Sequence, residues 1–258
     1  MEEVPEIPIE LLHVIASTDI QTYRAMLAIP RFARSLNPSI RINYRISFGD
    51  SVKITSKVIK WYRNGEKHRN NGPAVECVDG ARKWYVNGLQ HREDGPAREL
   101  ADGTKQWYVN GLQHREDGPA GEYSNGDKEW YRNGKYHRED GPAVEWSDGY
   151  QAWYLDGELH RDNGPAIEYA SGAKHWYRNG ELHREDGPAV EWTDGYKTWF
   201  LNGKHHREDG PAIEYADGTK AWYLNGERHR EDGPAIERAN GTKAWYLNGI
   251  RQMNEISS

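Results

Sequence analysis

His68, His91, His114, His137, His160, His183, His206 and His229 are each followed by an arginine. Three residues after each His comes Asp in six copies and Asn in two, Asn71 and Asn163. A His near a carboxylate can serve a hydrolytic centre, regularly spaced His can hold metal, and an arginine fork facing a carboxylate can fasten the chain. Repetition decides among these. A catalytic site needs one unique constellation, and here the same one occurs eight times. No Ser or Cys recurs in the unit to act as a nucleophile. Histidines one unit apart lie roughly 10 Å from each other, two strand spacings, too far to share a metal ion. The expected role is therefore a structural clasp. Its members include His91, Arg92 and Asp94, then His114, Arg115 and Asp117, then His137, Arg138 and Asp140. The arginine fork is expected on a carboxylate and the imidazole on a backbone carbonyl, tying one hairpin to its neighbour. No catalytic residue, metal ligand or cofactor is expected, and the chain reads as non-enzymatic.

The elements that must position the clasp follow from the period. Trp61, Trp84, Trp107, Trp130, Trp153, Trp176, Trp199, Trp222 and Trp245 are each 23 residues apart, and a period of about 20–50 residues marks an array of stacked units. The unit reads W-[YF]-x-[ND]-G-x-x-H-R-x-[DN]-G-P-A-x-E-x-x-x-G-x-x-x, in eight complete copies and a partial ninth. Asn-Gly or Asp-Gly follows each Trp-Tyr run, as at Asn225-Gly226, and a second pair such as Asp102-Gly103 precedes the next Trp. Both favour type I′ hairpin turns, because Asn, Asp and Gly tolerate positive φ. The segments between are rich in Trp, Tyr, Val and Ile, which suits strands. Recurrent Pro and Gly exclude helices longer than two turns. The expected fold is all-β, an elongated antiparallel meander with one hairpin per unit. Its first strand would run from His-Arg through Pro-Ala-x-Glu and its second would contain Trp-Tyr.

The residue between Pro-Ala and Glu is usually Val or Ile, and Tyr123, Trp146, Tyr169, Trp192 and Tyr215 follow the Glu. These positions share a face and form an expected core stripe. Two positions vary between copies. One precedes Trp, from Lys60 and Lys83 to Ala221 and Ala244; the other follows the first turn, as at Lys67, Tyr136, Leu159 and His205. They are expected at exposed sites, where recognition surface concentrates.

Composition narrows the function classes. Of 258 residues 36% are hydrophobic and 29% charged, yet 11 Trp, 16 Tyr and 3 Phe are too many rings for a disordered chain. A net charge of -6 argues against nucleic acid as a partner. The single Cys77 excludes an intramolecular disulfide and weakly suits a reducing compartment. No apolar run approaches the ~20 residues of a membrane span, and the acidic start MEEVPEIP does not read as a leader peptide.

Residues 1–37 differ from the rest. Pro8 suits a first helical turn, with Leu11, Leu12 and Ile15 on one face. Thr18 to Gln21 fits a capping box for a second helix, and a short third runs from Arg31 to Leu36. Residues 39–48 alternate strictly, with Ile40, Ile42, Tyr44, Ile46 and Phe48 on one side, as in a strand. The expected organisation is a small α-helical segment at 1–37, a capping hairpin at 38–60, the repeats at 61–249 and a tail at 250–258.

Two resemblances follow. The unit, with its W…NG…H…G and later DG turn, resembles a MORN repeat, although the usual Y-x-G-x-W core is missing and His-Arg-Glu-Asp-Gly-Pro-Ala replaces a shorter stretch. That implies a hairpin meander. The unit looks more like repeat arrays of giant DNA viruses, whose families join them to an F-box. The N-terminal segment is similar to an F-box at Ile7, Pro8, Glu10, Leu11, Leu12 and Ile15; the usual C-terminal Trp is absent. The resemblance implies a protein-binding adaptor that links a target to Skp1 in a cullin-RING ubiquitin ligase, in the cytoplasm of an infected host cell. The rival expectation is a scaffold or virion protein that self-associates through its repeats.

Overall fold

A computed structural model describes residues 42–47, 50–55 and 57–252. The F-box-like residues Ile7, Pro8, Glu10, Leu11, Leu12 and Ile15 lie outside them, as do the helices expected at 1–37. The described residues are all-β, without helix. The chain divides into two compact units, Met1–Ser124 and Asn125–Ser258.

In the first unit β1 (Ile42–Ser47) pairs antiparallel with β2 (Asp50–Ile54), and β2 with β3 (Val58–Arg63). Val52 faces Trp61 and Ile54 faces Ile59, and these side chains are buried. β3 continues into the array by pairing Ile59 with Glu76 of the first repeat.

Each repeat holds two hairpins, not the single one expected. The repeat from Trp199, in the second unit, shows how. Phe200–Leu201 pairs with Lys204–His205 across Asn202-Gly203. Asn202 has φ 49° and Gly203 φ 71°, the two left-handed residues of a type I′ turn. The chain then leaves the sheet. His206 through Pro211, expected as strand, form a loop whose ends the Trp199 backbone holds. Trp199 N–H donates to the Ala212 carbonyl at 2.8 Å, and the Trp199 carbonyl accepts from His206 N–H at 3.1 Å. Proline has no N–H for a ladder, so the loop is where it fits.

The second hairpin pairs Ile213–Glu214 with Lys220–Ala221. Its turn is not type I′. Only Gly218 has positive φ, Gly218 N–H donates to the Tyr215 carbonyl, and Tyr215 N–H donates to the Thr219 carbonyl. That is a type I turn closed by a glycine bulge, with the Asp217 carboxylate accepting the Thr219 N–H at 2.8 Å. The Glu-bearing strand also pairs backwards, Glu214 with Lys197, so two-residue strands alternate along the second unit in an antiparallel meander.

The alanine of Gly-Pro-Ala is completely buried in all eight repeats, as at Ala166 and Ala212. In the second unit Ile213, Ala221, Ile236 and Ala244 form one core cluster under Tyr196, Tyr223 and Tyr246; Val144, Ala152 and Ile167 form another. The expected core stripe splits. Its Val and Ile positions are buried, but Trp146, Trp192 and Tyr215 are 43–44% exposed, because they stand where the strand gives way to the turn. Beyond Gly249 the tail does not diverge at once: Ile250–Gln252 pairs with Trp245–Leu247.

Candidate functional site

The clasp closes inside one repeat rather than between two. Arg115 lies with its guanidinium 4.1 Å over the Trp107 ring. Its Nη1 donates to the Pro119 carbonyl at 3.2 Å and to Glu122 at 3.0 Å, and its Nε donates to Asp117 at 2.8 Å. Three of five N–H donors and one face of the plane are thereby taken up. The Trp stacking and the Pro and Glu bonds recur in all eight repeats. The reason is local. Trp, Arg, Pro and Glu all border one loop, and its closure brings them together.

The glycine of Gly-Pro-Ala lets the arginine pack closely over the loop, so a side chain there would displace the guanidinium. A Cβ on Gly141 would meet Arg138 Cζ at 2.8 Å, closer than carbon atoms approach. Arg92, Arg138 and Arg115 also hold Asp94, Asp140 and Asp117 below the usual carboxylate range, first through the hydrogen bond and then through charge. In the two repeats with Asn71 and Asn163 the Nε bond is missing, and there the glycines, Gly72 and Gly164, swing to φ 141° and 144°.

The histidines do the inter-repeat work, with their bonding reversed from expectation. The imidazole accepts from a backbone N–H instead of donating to a carbonyl. Asn110 N–H reaches His91 Nδ1 at 3.1 Å, and His137 Nδ1 lies 3.1 Å from the Asp156 N–H and 2.9 Å from the Asp156 carboxylate. Both donors are the left-handed first residue of the next repeat's turn. His114 Nε2 lies 2.9 Å from Glu116. Main-chain bonds reinforce the tie: Arg92 N–H to Tyr108 carbonyl, and Gly111 N–H to Gln90 carbonyl. His and Asp of one motif are not partners, so each His-Arg-x-Asp holds two devices, an imidazole facing the next repeat and a fork facing its own loop.

Most of the variable positions are packed inward, while Arg228 is exposed as expected. Ala152, His175, Thr198, Ala221 and Ala244 are buried, and Tyr136, Leu159 and His205 are half-buried. They vary as pairs seven residues apart. Tyr136 donates its hydroxyl hydrogen to Glu129 at 3.1 Å, and His205 Nδ1 meets Thr198 Oγ1 at 3.0 Å. That pairing was readable only by comparing the two positions across copies. In the second unit rings line this face: Trp146–Tyr150 centroids lie 4.4 Å apart, Tyr169–Trp192 5.8 Å. Burial, aided by nearby tyrosines, pushes the Tyr150 hydroxyl up to about 12. The same face in the first unit is polar, with Arg98 donating to Gln106 at 3.1 Å.

Among the described residues no group of three or more His, Cys, Asp or Glu is placed to hold a metal ion, and no helix is long and apolar enough to cross a membrane. No protein-family model matches the chain, and a search of curated proteins gives no match.

Proposed function

We propose that the chain is a non-enzymatic protein-binding repeat protein, an adaptor whose residues 7–36 dock on Skp1 and whose repeats present a target in the cytoplasm of an infected host cell. One observation supports the repeat half of this reading. The constellation present in every copy is consumed by intramolecular contacts, as Arg115 is by Trp107, Asp117, Pro119 and Glu122. What remains for a partner is the surface of the loops and turns. The F-box-like pattern Ile7, Pro8, Glu10, Leu11, Leu12, Ile15 supports the other half.

Immobilised full-length protein is expected to retain Skp1 at micromolar concentration. Pro8→Ala with Leu11→Ala and Leu12→Ala is expected to abolish retention, since each buried Leu contributes about 1.5–3 kcal/mol, and to leave the β-rich circular dichroism intact. Failure of the wild-type chain to retain Skp1 overturns the adaptor.

A further inference from the structure

Two open grooves of the same build lie one repeat apart in the second unit. One, of about 720 Å³, has the loops Arg184–Pro188 and His206–Asp209 as walls and Trp199 with Leu201 as floor. The other, of about 770 Å³, has the next loops as walls and Trp222 with Leu224 as floor. Each pairs an apolar floor with anionic lips.

The charge on the lips is unbalanced at Glu208 and Glu231, whereas Glu185 is paired with Arg178 at 3.2 Å. Arg207 is matched by Asp209 at 2.9 Å and Glu214 at 3.2 Å, already two carboxylates on one cation. Glu208 is additional, 84% exposed, with His206 Nε2 at 3.8 Å. Glu231 repeats this, 3.7 Å from His229 and equally exposed. The hydrogen bonds from Arg207 and Arg230 hold Asp209 and Asp232 below the usual carboxylate range, so both stay ionised near neutrality.

We infer that these grooves are a docking row for an extended basic peptide, one Lys or Arg side chain per groove. The methylene stem of such a side chain lies along Trp and Leu while its head group reaches the carboxylates. The geometry sets the peptide's spacing. Successive grooves are two strand spacings apart, roughly 10 Å. A polyproline-II chain places every third side chain on one side, at about 9.3 Å. The fitting ligand therefore carries a cation at every third position. The inference rests on the repeats being the protein-binding part, and is independent of Skp1 docking.

A fluorescent peptide of four Arg-Pro-Pro triplets, titrated with the full chain and followed by anisotropy, tests it. A control peptide has the same composition with its arginines consecutive. The triplet peptide is expected to bind more tightly than the control and to weaken with salt. Glu185→Gln with Glu208→Gln and Glu231→Gln is expected to lower affinity about tenfold. Asp148→Asn with Asp194→Asn and Asp217→Asn removes as many charges from the Asp-Gly turns, keeps an acceptor for each turn N–H, and is expected to change affinity little. Equal loss in both triple variants shows only a general field and overturns the inference. So does absence of wild-type binding, or equal affinity for the two peptides. Self-association abolished by the glutamate variants would assign the grooves to a second copy and overturn it as well. A negative Skp1 retention leaves all these readings in place.

Discussion

The Thr198 hydroxyl lies 3.0 Å from the His205 imidazole, Oγ1 to Nδ1, and the same hydroxyl donates to the Ala212 carbonyl at 3.1 Å. A hydroxyl has one hydrogen to give, so it accepts from His205, which fixes the proton on Nδ1. Thr198→Val leaves that N–H without its acceptor in a half-buried site and is expected to cost about 1–3 kcal/mol. Thr198→Ala with His205→Leu recreates the pair found at Ala152 and Leu159. A double-mutant cycle by urea denaturation is expected to show the double variant less damaged than the single costs sum to.

Arg115→Ala removes the fork from Glu122 and the Pro119 carbonyl and uncovers one face of Trp107. The expected loss is about 1–3 kcal/mol, the range for charge-assisted hydrogen bonds. Asp117→Asn is expected to cost less, because its side chain is 84% exposed. An unchanged denaturation midpoint for Arg115→Ala would remove the clasp from the account of stability.

Asn163→Asp tests the clasp in the opposite direction. It supplies the Nε acceptor that Arg161 lacks and the six Asp repeats possess. A partly exposed pair contributes little, so the thermal midpoint is expected to rise by about 1–2 °C. Gly164 is expected to move from φ 144° towards the conformation of its counterparts, a change readable from its amide chemical shift.

His175 and His205 give the second unit a pH dependence. Burial lowers both pKa values from 6.5. His175 is enclosed by Tyr169 and Trp192, its buried Nε2 has no hydrogen-bond partner among the described residues, and His205 sits between Phe200 and Tyr223. The unfolded chain therefore binds protons that the folded chain refuses. Stability is full above the unfolded value of 6.5 and falls as pH drops from there through the lowered folded values. The urea midpoint is expected to decrease on acidification from pH 7 to pH 5, and His175→Leu is expected to flatten that decrease. The clasp aspartates lose their contribution only at lower pH, because their folded values lie below 3.8.

The residues alone determined the period of the array and the left-handed Asn-Gly turns that follow each Trp-Tyr pair. A 23-residue spacing of Trp needs no coordinates, and the Asn-Gly pairs required a left-handed residue wherever the chain ended. The all-β meander follows from that periodicity and from Pro and Gly. Tertiary closure decided the rest. Trp199 holds both ends of a loop through Ala212 and His206, so the residues from His206 to Pro211 leave the sheet and one hairpin becomes two. The same closure turns Arg207 back onto its own Trp and Glu instead of the neighbour's. An arginine fork and a carboxylate announce that they will pair, but not across which gap, because the gap is set by backbone bonds tens of atoms away. Asp217-Gly218 and Asn202-Gly203 look alike as dipeptides, yet only the second has both residues left-handed. The glycine bulge arises where Tyr215 N–H finds the Thr219 carbonyl, a pairing fixed by strand register rather than by the two turn residues.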